Sequence, residues 1–339
     1  SFFSDSDYED AGATIASSSS KIYSDADIVA KVNSPSSEEI SMIKDGCMFI
    51  SFFQTMKETD KVQSLCKKNI TGFSMHLVPR TTLAQKMDAL SSQTNIAGYK
   101  AVLIAACHIE KYMPLLMTAA GTIPPAKVLV IGAGVAGLSA IATAKRLGAQ
   151  VEASDVRPEV KEQVESLGAK FLEVESDNDE GVGEGGYAKE TSEEYKKKQQ
   201  QLFQDRVAAS DIVVSTALIP GRPAPVLISR EMVGLMKPGA VIMDLAAENG
   251  GNCSLTESDR VVVENGVIVD GTVNLAGTMS VHASQLYSKN VSAFLIHGFN
   301  KDTKQINLDD EIIDGAMFID KGEVVDERTQ NAIKEGIKF

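Results

Sequence analysis

The sequence predicts an α/β protein of two domains built on parallel sheets. Up to about Leu77, short apolar runs alternate with polar helical stretches, the pattern of an α/β domain. A second alternating series runs from 127 to about 271 and opens with a strand feeding a glycine-rich turn. At 339 residues the chain is longer than a single core usually grows, so two domains are the default.

In the first series "ADIVAKV", "GCMFISFF" and "ITGFSMHL" read as strands, and "KETDKVQSLCKKN" as a helix between them. The stretch "SSQTNIAGYKAVLIAACHIEKYMPLLMTAA" reads as one long helix, with Ser91, Ser92 and Thr94 as candidate caps and a break near Gly121. Pro124 and Pro125 end any helical reading and mark the hinge. The expected division is a first domain of 1–124 plus 299–339 and a second of 125–298.

In the second domain "KVLVIG" is a buried-strand pattern, "VAGLSAIATAKRLGA" a small-residue helix closed by Gly148, and "QVEASD" the next strand. Gly132, Gly134 and Gly137 form GxGxxG, and Asp155 ends the second strand about twenty residues on. The three glycines serve a tight turn, backbone access to a pyrophosphate, and close packing of helix on strand. The pyrophosphate then meets the positive end of the helix, near Ala133 and Val135. Asp155, followed by Val156 and Arg157, can accept both adenosine-ribose hydroxyls, and its charge repels a 2′-phosphate. NAD(H) is therefore favoured over NADP(H). Downstream, "DIVVSTALI", "REMVGLMKPGAVIMDLA" and "VVVENGVIVDG" continue the series. Strands of this kind end at the ligand crevice, which makes Thr216, Ala217, Leu218, Asp244 and Ala246 candidates to line it.

Composition narrows the function classes. The formal net charge of -13 argues against a nucleic-acid binder, whose footprint would be basic. Cys47, Cys66, Cys107 and Cys253 show no metal-ligand spacing, which argues against structural zinc and suits a reducing compartment. No apolar run approaches the roughly 18 residues of a membrane-span candidate, and "SFFSDSDYED" lacks a basic signal-peptide region. The four histidines, His76, His108, His282 and His297, share no metal-binding spacing and read as packing, rim or cap residues. An acid-base catalyst for carbonyl chemistry is thus missing. Hydride transfer between two nicotinamides needs none, only aligned rings, polar anchors and exclusion of water.

Several long words resemble one family: "VPRTTLAQKMDALSSQTNIAGYKAV", "PPAKVLVIGAGVAGLSAIATAKRLGA", "RPEVKEQVESLGAKFLE", "GGYAKE", "TALIPGRPAPVLI" and "PGAVIMDLAAENGGNC". Across nearly its whole length the sequence resembles the soluble NAD(H)-binding domain I of proton-translocating, Re/Si-specific NAD(P) transhydrogenases, relatives of alanine dehydrogenase. That resemblance implies two Rossmann-like domains with a nucleotide cleft between them, long linking helices, and a homodimer. It implies hydride transfer from NADH to NADP+ on a separate NADP(H)-binding domain III, coupled to proton movement by a membrane domain II. The chain would then be a soluble domain peripheral to an energy-transducing or organellar membrane, on its cytosolic or matrix side.

The resemblance also assigns residues. The family's loop beside the nicotinamide falls on Arg80, Gln85, Asp88 and Ser91. In the family the Gln bonds the nicotinamide-ribose region and contacts the facing domain, Arg and Ser hold the carboxamide or the phosphate side, and Asp supports the arrangement. A mobile loop whose Tyr closes over the nucleotide maps onto 176–195, with Tyr187 as the closing residue. The Gly- and acid-rich composition there independently fits mobility. Asn274 falls in a loop that approaches the nucleotide.

Two departures bear on function. Alanine dehydrogenases carry a Lys in a "KVKEP"-like segment and a catalytic His after the next strand. Here the segments read "KVNSP" and "FISFFQTM", with Asn33 in place of the Lys and no His near Gln54. This disfavours an independent amino-acid dehydrogenase. Family members also open with an "ET.R" stretch, so Ser1 is expected to enter partway through the first domain, with "QINLDDEIIDGAMFIDKGEVVDERTQ" returning to cover its edge. That keeps a non-catalytic nucleotide-sensing protein as a third reading.

Overall fold

A computed structural model of the chain describes residues 1–173, 193–219, 222–300 and 305–336. Two units form, one of Ser1–Gln93 with Met279–Phe339 and one of Thr94–Thr278. Both are α/β with parallel strands at the centre of the sheet.

The first unit holds a five-stranded sheet in the order Ile28–Asn33, Met48–Phe52, Thr71–Ser74, Met317–Asp320, Glu323–Val324. The first three strands are parallel, and the last two, from the C-terminal segment, run antiparallel to their neighbours. Phe49, Ile50, Phe73 and Phe318 are fully buried, as expected of strands covered on both faces. The helix Ser280–Gly298 packs in this unit: Tyr287, Val291 and Phe294 join Phe73, Met75, Ile312 and Ile313 in one cluster. The segment 279–298 thus carries its apolar face into the first core, and that burial moves the boundary from 298 to Met279.

The second unit holds a seven-stranded sheet, ordered Val261–Glu264, Val267–Asp270, Val241–Asp244, Ile212–Ser215, Lys127–Ile131, Gln150–Ser154, Lys170–Phe171. All neighbours are parallel except the edge hairpin 261–270. That hairpin turns on Asn265 and Gly266, both at positive φ, the pairing a tight two-residue turn requires. Lys127–Ile131 leads into Gln150–Ser154 on one side, and the chain later returns as Ile212–Ser215 on the other. The reversal of strand order puts a topological switch point at the carboxyl end of Lys127–Ile131, where a ligand crevice forms in doubly wound sheets.

The long helix is shorter than its apolar run suggests. It spans Ala89–His108, and its start is capped by Asp88 rather than by Ser91, Ser92 or Thr94: the Asp88 carboxylate accepts the Ser91 N–H at 2.8 Å. Ala101, Val102 and Ala105 belong to the core of the second unit, so the exchange between units falls at Gln93 and not at Pro124. After the helix, Leu116–Thr118 and Gly121–Ile123 form an antiparallel hairpin where the apolar pattern predicts helix. Pro114 bars a continuing helix by steric clash and the lack of an N–H, and Gly121 supplies the positive φ the hairpin uses.

Candidate functional site

At the switch point the three glycines divide their work. Gly132 sits at φ 93°, a conformation only glycine adopts cheaply, and its N–H reaches Ser154 O at 2.8 Å. Gly137 lies in the first turn of the helix Val135–Arg146, where an added Cβ would fall 1.8 Å from Gly132 O. Gly134 has open space where its Cβ would be, with nothing within 4 Å, and caps the helix without a side chain. Its surroundings leave the helix N-terminus and the Val135 N–H accessible to an anion. Thr216 closes the turn from the next strand, its Oγ1 donating to Gly132 O at 3.1 Å.

Asp155 follows Gln150–Ser154 directly. Its Oδ2 accepts the Ala133 N–H at 2.6 Å, which ties the end of the second strand to the glycine turn. Burial raises its pKa, yet the Arg157 guanidinium, the Ala133 N–H and the Arg157 N–H outweigh that and hold the carboxyl below its ordinary value. Val156 is almost fully exposed beside it, and Leu218 is half-exposed past Ile212–Ser215. Asn274 is exposed at φ 49°, with its Oδ1 accepting the Gly277 N–H at 3.2 Å.

Asp244 departs from its expected place as a crevice-lining group. It is 1% exposed, and its carboxylate is committed to the loop that follows, accepting Ala246 N–H at 3.0 Å, Asn252 N–H at 2.6 Å, Cys253 N–H at 3.0 Å and Thr256 Oγ1 at 2.6 Å. Ala246 is buried with it. The residue that sequence reasoning missed is Asn252. Its Oδ1 accepts the Ala217 N–H at 3.0 Å, while its Nδ2 donates to Ala217 O and Pro225 O, both at 2.9 Å. The amide thereby clamps the backbone that leaves Ile212–Ser215 beside the glycine turn. The signal that could have revealed it is the Gly-Gly pair before it, since Gly250 and Gly251 both take positive φ in a tight turn.

The second cluster lies in the first unit. Pro79, Arg80, Thr81, Thr82, Ala84, Gln85, Asp88 and Ser91 line a depression of about 370 Å³. Apolar neighbours fix the loop: Ala84, Met87 and Ala89 are buried among Phe73, Met75 and Phe294. Asn290 adds a polar anchor, donating from Nδ2 to Lys86 O at 2.8 Å and accepting from Ser92 Oγ at 2.8 Å. Asp88 Oδ2 accepts the Ser91 hydroxyl at 2.6 Å, so these two carry a mutual bond. Arg80 and Gln85 remain exposed, and neither side chain has a hydrogen bond among the described residues. The structure thus brings the four polar residues of this loop together. Tyr187 and residues 176–192 of the expected mobile loop lie outside the described residues, and its last three residues begin the helix Glu193–Ala209.

His76 stands four residues before Arg80, its ring 5.4 Å from that of Phe52. Burial, then the charges of Arg80, Arg328 and Lys57, push its pKa down to about 4. The native ring stays neutral while the unfolded chain protonates near 6.5, so stability present at neutral pH is lost as pH falls between 6.5 and 4, by up to about 3 kcal/mol. Urea melts at a series of pH values check this. A His76→Gln chain should show a flatter decline, and an equally steep one would assign the effect to other groups.

A switch-point glycine turn, an acid at the end of the next strand and a pinned polar loop define an α/β protein of the Rossmann type. The chain belongs to the alanine dehydrogenase/PNT family: the model of the family's N-terminal domain matches residues 1–97 and that of its C-terminal domain 101–327. It is 48% identical over 323 residues to the first portion of the NAD(P) transhydrogenase alpha subunit of Rhodospirillum rubrum, a separate chain there, covering 93% of this chain and 84% of that one. It is 45% identical to NAD(P) transhydrogenase subunit alpha of Cereibacter sphaeroides, covering 95% of this chain but only 62% of that longer one. Among solved structures it is similar to the transhydrogenase from Sinorhizobium meliloti, with a TM-score of 0.84, 44% identity, and coverage of 96% and 88% of the two chains. No helix among the described residues is long and apolar enough to cross a membrane.

Proposed function

We propose that this chain binds NAD(H) at the Gly132 turn and serves as the NAD(H)-binding component of a proton-translocating, Re/Si-specific transhydrogenase. The observation that carries this is the division of labour among Gly132, Gly134 and Gly137, with Asp155 joined to the turn through Ala133. Backbone N–H groups at the start of Val135–Arg146 would hold the pyrophosphate, and Asp155 the adenosine ribose. Thr216, Ala217 and Leu218 leave Ile212–Ser215 at the same end of the sheet and would border the nucleotide, as would Asn274 and the exposed Val156. Tyr187 is assigned the closing role that the family resemblance gives it.

The reaction moves one hydride, with its electron pair, from the nicotinamide of NADH to that of NADP+ on a separate domain III, giving NAD+ and NADPH. No proton passes to a substrate oxygen, so positioning carries the chemistry. Arg80, Gln85, Asp88 and Ser91 are assigned to the nicotinamide end. Gln85 offers an uncommitted amide and Arg80 an uncommitted guanidinium, while Asp88 fixes Ser91. Coupling to proton movement is assigned to a membrane domain II, which places this component at the cytosolic or matrix face of its membrane. A homodimer fits the hairpin 116–123, whose Leu115, Met117 and Ile123 are exposed.

A single-cuvette assay tests the proposal. NADH and the chain are mixed, then pyruvate with ammonia, then a relative's domain III loaded with NADP+, with a thio- or acetylpyridine analogue on one side. Silence at the keto-acid step followed by a fast redox change is expected. Turnover with the keto acid would make the chain an amino-acid dehydrogenase instead, and silence throughout would point to nucleotide sensing. In the same assay Gln85→Asn should retain NADH binding but transfer hydride about 10- to 100-fold more slowly, the cost of a small misplacement. Unchanged transfer would remove Gln85 from the contact.

A further inference from the structure

The charge of Asp155, read from the sequence, repels a 2′-phosphate; in the structure that charge is not bare. Oδ1 accepts the Arg157 main-chain N–H at 2.9 Å and Arg157 Nε at 3.0 Å. Oδ2 accepts the Ala133 N–H at 2.6 Å and Arg157 Nη2 at 3.0 Å. A carboxylate has about four acceptor positions, and all four are filled. Two of the donors belong to the backbone and are fixed by the turn. The other two are the prongs of one guanidinium fork.

Exposure shows which partner faces the ligand. The Asp155 side chain is 6% exposed and that of Arg157 is 49% exposed, so the guanidinium forms the outer surface of the pair. Ribose hydroxyls can reach Asp155 only by taking the two positions that the fork occupies. The displaced guanidinium cannot go far, because the Arg157 main-chain N–H stays on Oδ1. It therefore remains beside the 2′-position with its charge and donors free, and guanidinium is well matched to phosphate.

We propose that Arg157 is the specificity-determining residue at the adenosine ribose. It competes with the hydroxyls of NAD(H) for Asp155 and supplies the counter-charge that softens rejection of the 2′-phosphate of NADP(H). Selectivity for NAD(H) is then a property of the Asp155–Arg157 pair, limited by Arg157 rather than set by Asp155 alone. This assignment rests on the reading that a dinucleotide binds at the Gly132 turn. If Arg157 served only to brace the segment after Gln150–Ser154, its loss would weaken both nucleotides alike.

The test is direct binding, read from the fluorescence of the reduced nicotinamide and by calorimetry, with NADH and NADPH against the full chain. Arg157→Ala should weaken NADPH relative to NADH, raising the selectivity ratio about three- to tenfold, as for a half-exposed charge pair. Arg157→Gln keeps side-chain donors without the charge and should raise the ratio similarly. Asp155→Ala should lower the ratio, because the released guanidinium takes the 2′-phosphate, and Asp155→Ala/Arg157→Ala should lose that gain in NADPH binding. An unchanged ratio in both Arg157 variants, or equal NADPH affinity in Asp155→Ala and the double variant, overturns the assignment while NADH binding by the unaltered chain preserves the site. If the unaltered chain binds no NADH, the underlying reading falls and this assignment falls with it.

Discussion

A Gly137→Val chain is expected to lose NADH binding and to be destabilised in its second unit by more than about 3 kcal/mol. A Cβ at Gly137 would sit 1.8 Å from Gly132 O and 2.8 Å from Gly132 C, contacts to main chain rather than to a flexible side-chain end. Gly132 cannot yield: its own Cβ position is 2.5 Å from Thr216 Oγ1, and its N–H is bonded to Ser154 O. Relief therefore requires the helix Val135–Arg146 to lift from the sheet, which opens the core around Ala140, Ile141 and Ala144. Gly134→Ala is the contrasting case. Its φ of -77° suits any residue and its Cβ meets nothing within 4 Å, so stability should fall by no more than about 1 kcal/mol, the loss of a good cap. The methyl would stand where the pyrophosphate must approach, and NADH affinity should fall about 10- to 100-fold. Urea melts and nucleotide titrations on both variants check this. Equal stability losses would show that the two glycines are not divided between packing and access.

The same turn explains what could be seen in the sequence. Glycine spacing, strand hydrophobicity and Asp155 are local features, and each is answered locally: the positive φ of Gly132, the buried Val128–Val130 strand interior, the bond from Ala133 to Asp155. The first three strands of the first unit were equally plain, because apolar runs bounded by polar helices leave few alternatives. The stretch after His108 was harder. "PLLMTAAGTI" is apolar enough to extend a helix, and only Pro114 and Gly121 argue for the hairpin that forms. The helix Ser280–Gly298 could not be placed from its pattern, since an amphipathic face does not say which core it enters. Asp244 was misplaced for a related reason. A strand-end acid looks the same in sequence whether it meets a ligand or the donors of its own loop. The polar loop of Arg80, Gln85, Asp88 and Ser91 was found by family resemblance alone, because exposed polar residues at a helix start are common. Its anchor, Asn290, comes from about two hundred residues away, a distance no local pattern spans.

For Asp244→Ala a stability loss of about 3–5 kcal/mol is expected, although no ligand contact is removed. The carboxylate satisfies the N–H groups of Ala246, Asn252 and Cys253 and the Thr256 hydroxyl at a place where Ala246, Asn252 and Cys253 are buried. Water cannot replace it without opening the loop, and each orphaned donor costs about 1–3 kcal/mol. The effect should travel further, because Asn252 depends on Asp244 for its place and Ala217 depends on Asn252. Asp244→Asn keeps the volume but turns one acceptor into a donor facing N–H groups, so about 2 kcal/mol should be lost. Chemical denaturation of both variants, with NADH titrated under conditions where each is still folded, separates the roles. A brace predicts falling stability in both variants, with weakened NADH where the loop has loosened around Ala217. Unchanged stability with weakened NADH would instead make Asp244 a ligand-facing group, the role its position at a strand end suggested.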